Sequence, residues 1–169
     1  MKKLLFAVLI LAACSRDGAD SGGGNASAPA GQTVSEGRSS PSGAITTLTG
    51  LYEGGGGAGP RDQMCMVDPQ GETARFGLVV WGAEQHSCSG SGTATRSGER
   101  LQLKMAGDET CTIDARISGA EIVLPDTLPD GCAYYCGARA RMNGARFTQA
   151  GTGRDDAIEA KDLVGDPLC

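Results

Sequence analysis

The sequence predicts an all-β fold: an antiparallel meander of about eight strands closed as a small barrel or sandwich, with one short C-terminal helix. Three observations carry this. Apolar and polar residues alternate with period two over most of the chain beyond residue 45. Turn signals separate these runs at close spacing, and no helical periodicity is interleaved between them. The composition agrees, with 27 Gly and seven Cys in 169 residues and a domain of about 125 residues left for one core.

Taken in order, Leu48–Glu53 is the first strand and Gln63–Val67 the second, which turns through Asp68-Pro69-Gln70-Gly71 into Thr73–Trp81. Cys88, Gly90, Gly92 and Ala94 then alternate with Ser89, Ser91, Thr93 and Thr95 and turn through Ser97-Gly98. The paired inward glycines imply sharp curvature or a neighbour packing closely there. Leu101, Leu103 and Met105 alternate with Arg100, Gln102 and Lys104, and after Gly107-Asp108-Glu109 the pattern Cys111, Ile113, Ala115, Ile117 answers them in a hairpin. Glu121–Leu124 is a further strand. Asn143-Gly144 is the strongest short hairpin signal and links Ala138–Met142 to Ala145–Thr148. The helix starts at Asp155 and Asp156, has Ala157–Val164 as its body, and stops at Gly165 and Pro167.

The chain opens with Met1-Lys2-Lys3 and an apolar run from Leu4 to Ala13. Ten helical residues reach about 15 Å, half the hydrocarbon thickness, so the run has the form of a secretory signal rather than a membrane span. It ends in Leu11-Ala12-Ala13-Cys14, which resembles the lipobox of bacterial lipoproteins. The resemblance implies cleavage before Cys14, a diacylglyceryl thioether on its sulfur and acylation of the new amine. Ser15 after the cysteine resembles the outer-membrane sorting signal of enteric lipoproteins. Without Lys2 and Lys3 the chain carries 13 basic and 20 acidic groups, a net −7, so anchoring falls to the acyl chains rather than to anionic headgroups. Residues 1–13 are thus read as signal peptide and 14–44 as lipidated cysteine plus tether. From Ser15 to Ala44 the only sizeable hydrophobe is Val34, too little to offset the entropy of ordering. Residues 45–169 form the domain.

With Cys14 assigned to lipid, six cysteines remain: Cys65, Cys88, Cys111, Cys132, Cys136 and Cys169. An exported chain meets an oxidising compartment, which predicts three disulfides out of 15 connectivities. Hairpin geometry brings Cys88, Cys111 and Cys132 to one end of the sheet and favours Cys111–Cys132. Cys136–Cys169, pinning the helix, and Cys65–Cys88 then complete the set. Cys132 and Cys136 are spaced C-x₃-C, unlike thioredoxin-like C-x₂-C, and no βαβ pattern surrounds them.

The same residue counts narrow the function classes. A net charge of −5 argues against nucleic acid as a partner. Aromatic residues are 4% of the chain, too few for a broad stacking surface, and the single histidine disfavours a His-based metal site. No cofactor and no metal are expected. His86, in the polar turn Gly82–His86, reads as a loop histidine; a general-base role would need partners assembled in space, and no Gly-x-Ser-x-Gly elbow is present. Gly54–Pro60 lacks the Gly-Lys-Ser/Thr ending of a phosphate loop and reads as a plain loop. Arg139, Arg141 and Arg146 are placed by the expected Asn-Gly hairpin on one outward face, beside Tyr134 and Tyr135. That arrangement suits a carboxylate-bearing partner such as a peptidoglycan stem peptide or an acidic protein loop. Its structural alternative is a solvated hairpin edge.

Gly50-Leu51-Tyr52-Glu53-Gly54, the cysteine-bearing strands and the ending Val164-Gly165-Asp166-Pro167-Leu168-Cys169 resemble small uncharacterised envelope lipoproteins of Gram-negative bacteria. In plan alone, a lipid-tethered disulfide-bonded β-barrel is similar to periplasmic lysozyme and protease inhibitors. The first resemblance supplies no activity and the second is one of architecture; the leading expectation is a lipid-anchored, non-catalytic binding module of the cell envelope, inhibitor-like, facing the periplasm from the outer membrane and meeting an envelope protein or peptidoglycan fragment. The competing classes are an envelope hydrolase and a purely structural envelope component.

Overall fold

The structure, a computed structural model, describes residues 43–55 and 59–169. The expectations for the leader, for Cys14 and for the tether up to residue 42 fall outside these residues, as does part of the Gly54–Pro60 loop. Eight strands run antiparallel in chain order: β1 Gly50–Gly54, β2 Asp62–Gln70, β3 Thr73–Trp81, β4 Ser87–Ser97, β5 Arg100–Met105, β6 Thr112–Ser118, β7 Glu121–Val123 and β8 Arg146–Thr152. Each pairs with the next and β8 pairs back with β1, so the sheet closes as a barrel. Among the described residues, closure leaves no barrel edge open to a further strand.

Period-two alternation fills the interior. Leu101, Leu103 and Met105 point inward from β5, with Leu103 opposite Ile113 and Leu101 opposite Ala115 on β6. Phe76 and Leu78 of β3, Met64 and Met66 of β2, Tyr52 of β1 and Phe147 of β8 join them, all essentially inaccessible. The barrel is packed solid with side chains. The two inward glycines of β4 make room for this packing. A Cβ at Gly92 would overlap the Lys104 carbonyl and come within 2.9 Å of the Phe76 ring, and one at Gly90 would overlap the Met105 side chain. Gly92→Ala is therefore expected to force β4 off β5 and cost about 1–3 kcal/mol. Thermal unfolding checks this, with the exposed Ser91→Ala as a neutral control.

Non-strand segments close both ends. At one end Ile45 and Leu48 are buried, and Ile45 N–H donates to Gly119 O in the β6–β7 turn at 3.0 Å. At the other end the long β7–β8 connection contributes Leu124, Cys132, Ala140 and Met142 to the core. The C-terminal segment forms a smaller cluster on the outer wall. Ala157 and Ala160 pack against the outward residues Leu51, Cys65 and Val67, and Gly77 lets Leu168 lie directly on β3.

Several sequence expectations need correction. Residues 138–142 are not a strand. The Asn143-Gly144 turn does form, closed by Ala145 N–H to Met142 O at 3.1 Å, but both flanks of β8 are already taken by β7 and β1. The segment before the turn bonds locally instead, with Ala140 N–H to Gly137 O at 3.1 Å. β2 continues through Asp68 and Pro69 to Gln70 with a register slip, so the turn falls at Gly71-Glu72. The C-terminal helix is one turn, α1 Arg154–Ala157. Beyond it the Asp162 carboxylate accepts the Val164 and Asp166 N–H groups, each at 2.9 Å, and this local bonding replaces a helical continuation.

The six cysteines form three disulfides. Cys111–Cys132 pairs as expected. The other two pairs are Cys65–Cys169 and Cys88–Cys136, not Cys65–Cys88 and Cys136–Cys169. The reason is parity: Cys65 lies between the inward Met64 and Met66 and faces out onto the C-terminal segment, whereas Cys88 faces the barrel interior. The barrel wall stands between them.

Candidate functional site

Two disulfides converge on one end of the barrel. Cys88 at the start of β4 and Cys111 just before β6 hold the segment Asp130–Cys136, whose first six residues form a 3₁₀ helix. Tyr135 adds a clasp: its hydroxyl donates to Ala106 O at 2.7 Å and accepts Asp108 N–H at 2.9 Å, tying the segment to the β5–β6 turn. In that turn Asp108 also accepts from the Thr110 hydroxyl at 2.6 Å and the Thr110 N–H at 2.8 Å, and these bonds hold its carboxyl below the usual range. Tyr134 stacks edge-on against Tyr135, with ring centroids 5.3 Å apart, and is 78% exposed. Of the two expected tyrosines, Tyr135 is thus occupied by the fold and Tyr134 is presented to solvent.

The β3–β4 connection supplies a second feature. Glu84 (φ 55°) and Gln85 (φ 61°) are consecutive residues in left-handed conformation, and His86 N–H bonds to Ala83 O at 3.1 Å. This is a type I′ turn, a geometry that Asn-Gly adopts freely and Glu-Gln adopts under strain of about 1 kcal/mol per residue. The turn is held from outside. Ala83 N–H donates to Arg139 O at 3.2 Å, Glu84 pairs with the Arg139 guanidinium, and Gly137 N–H bonds to Ser87 O at 2.9 Å. Replacing Glu84-Gln85 by Asn-Gly is expected to raise stability by about 1–2 kcal/mol. Chemical denaturation measures that gain.

Beside the braced segment lies a hollow of about 320 Å³, with Cys132, Cys136 and Met142 among its walls and Asp130, Arg141 and Asn143 around it. Arg141 is exposed here, whereas Arg139 is bound to Glu84 and Arg146 to Glu121 of β7 at 3.3 Å. The hairpin that was to align the three arginines does not exist. Arg139 sits in a turn, Arg141 at the hollow and Arg146 on the barrel wall. Exposed ion pairs of this kind contribute little stability, but they remove two of the three cations from a simple basic stripe. His86 is half-buried behind the strained turn.

Asp62, at the start of β2, accepts the Trp81 N–H at 2.7 Å. Burial raises its carboxyl above the ordinary value, and the Trp81 bond opposes this only in part. A carboxyl whose folded value is raised favours the folded state at acid pH, and that contribution fades as pH rises through the folded value. Asp62→Asn keeps the acceptor without the charge. It is expected to stabilise at about pH 7 and to lose that advantage near pH 3, as paired thermal melts at the two pH values would show.

Among the described residues no three His, Cys, Asp or Glu side chains gather in a group able to hold a metal ion. Sequence reasoning singled out Tyr134 and Arg141 but passed over Glu84 and Gln85, because neither is a residue that signals a left-handed turn. No family model, curated protein or solved structure matches this chain.

Proposed function

We propose that this chain is a lipid-anchored envelope protein whose disulfide-braced end is a non-catalytic binding surface for an envelope macromolecule. The observation that carries the binding reading is the contrast between the two parts of the barrel. The interior is filled by Phe76, Leu78, Leu103 and Phe147, so it offers no calyx for a ligand. The end bearing Tyr134, Arg141 and the Glu84-Gln85 turn is held rigid by two disulfides and displays an exposed aromatic, an exposed arginine and a strained loop. Tyr and Arg are the side chains that dominate protein interfaces, and a pre-ordered loop loses little entropy on docking. Anchoring rests on Leu11-Ala12-Ala13-Cys14, with the membrane met through acyl chains on Cys14 and the outer membrane favoured by Ser15.

The test has two parts. The mass of protein purified from its own host should show cleavage before Cys14 and acylation; a full-length unacylated chain contradicts the anchor. Capture from that envelope should fall at least tenfold with Tyr134→Ala plus Arg141→Glu and stay unchanged with His86→Ala. The reverse pattern favours a hydrolase using His86.

A further inference from the structure

The opposite end of the barrel carries a separate polar hollow of about 640 Å³, between the 45–48 segment and the β2–β3 and β4–β5 turns. Thr46, Thr47, Glu72 and Arg96 line it. The turn glycines Gly71 and Gly98 also line it, each with open space where a Cβ would stand. Arg96 is half-buried at the end of β4; its backbone N–H donates to Glu72 O at 2.7 Å, and its side-chain Nε donates to Gly98 O at 3.0 Å.

What these bonds leave over is informative. Among the described residues, the terminal guanidinium nitrogens of Arg96 have no hydrogen-bond or ion-pair partner, and neither has the Glu72 carboxylate. The wall beneath is fixed by a buried network in which Gln149 Nε2 donates to Thr47 O and to the Tyr52 hydroxyl, both at 3.4 Å. The Tyr52 hydroxyl in turn donates to Leu48 O at 2.8 Å. Half-buried Arg96 and exposed Glu72 therefore line the same opening, and among the described residues no ion pair joins them. An isolated anion such as phosphate would be drawn to Arg96 but repelled by Glu72. A ligand carrying both charges satisfies both groups and gains charge-assisted hydrogen bonds at each end.

We propose that this hollow binds a small carboxylate–ammonium zwitterion of the amino-acid class, its carboxylate on Arg96 and its ammonium on Glu72. The site is distinct from the disulfide-braced end and does not depend on that end's function. The test is titration of the full chain with glycine and with alanine, followed by amide NMR, with acetate, ethylammonium and inorganic phosphate run in parallel. Saturable shifts are expected at Thr46–Leu48, Gly71–Glu72 and Arg96–Gly98 with the amino acids, at least tenfold tighter than with any of the three single-charge probes. Arg96→Gln and Glu72→Gln should each weaken binding at least tenfold in chains that keep the barrel's amide pattern. Failure of both amino acids to saturate these shifts overturns the proposal. So does phosphate or acetate binding as tightly as alanine, a comparison on the unaltered chain that needs neither variant to fold.

Discussion

Replacing Cys65 and Cys169 together with alanine is expected to cost more stability than any other pair of changes. This disulfide closes the longest loop, with a sequence separation of 104. Constraining a loop of that length lowers unfolded-state entropy by the equivalent of about 4.7 kcal/mol, which corresponds to a fall in Tm of roughly 15 °C for a domain this size. The loss should be local first. The bond pins Ala157, Ala160 and Leu168 over the outward residues Leu51 and Val67, while barrel closure rests on the separate β1–β8 pairing. Hydrogen exchange is therefore expected to accelerate in residues 157–168 before the strands respond. Unchanged protection there would mean that the small outer cluster holds the segment unaided.

Replacing Cys88 and Cys136 with alanine should cost about 4 kcal/mol by the same reasoning, since the separation is 48. Its consequence differs in kind. Cys136 sits between the Tyr135 clasp and Gly137, which is bonded to Ser87, so freeing it releases the platform that carries Tyr134 and braces the strained turn. Partner capture should fall at least tenfold in this variant at a temperature where its barrel is still folded, yet survive in the Cys65/Cys169 variant. Two losses of similar size with opposite effects on capture would separate the role of the platform from stability in general.

The strands were legible because one face of each is buried and the other is not. Leu101, Leu103 and Met105 declare their side without help from any distant residue, and so do Ile113, Ala115 and Ile117. The parity of Met64 and Met66 already excludes Cys65 from the interior. Read strictly, that alternation argues against a Cys65–Cys88 bond. The segments that close and cover the barrel were not legible, because their conformations are set by partners far along the chain. Residues 138–142 have an alternating pattern and a good hairpin signal after them, but β7 and β1 already occupy both flanks of β8. The Glu84-Gln85 turn is the most hidden feature of the candidate site. Its geometry is imposed by Arg139 and by the close approach of Gly82 to residues 139–140, neither of which has a local sequence signature.

Site-specific photocrosslinking in intact cells of the native host tests the binding account most directly. A crosslinking residue at Tyr134 is expected to give a discrete adduct, and one at Gln102, on the outer wall of β5 facing Asp114, is expected to give none. The adduct should fade when Arg141→Glu is added. Equal labelling from both positions, or none from Tyr134, would contradict the assignment of this end of the barrel as the surface that meets a partner.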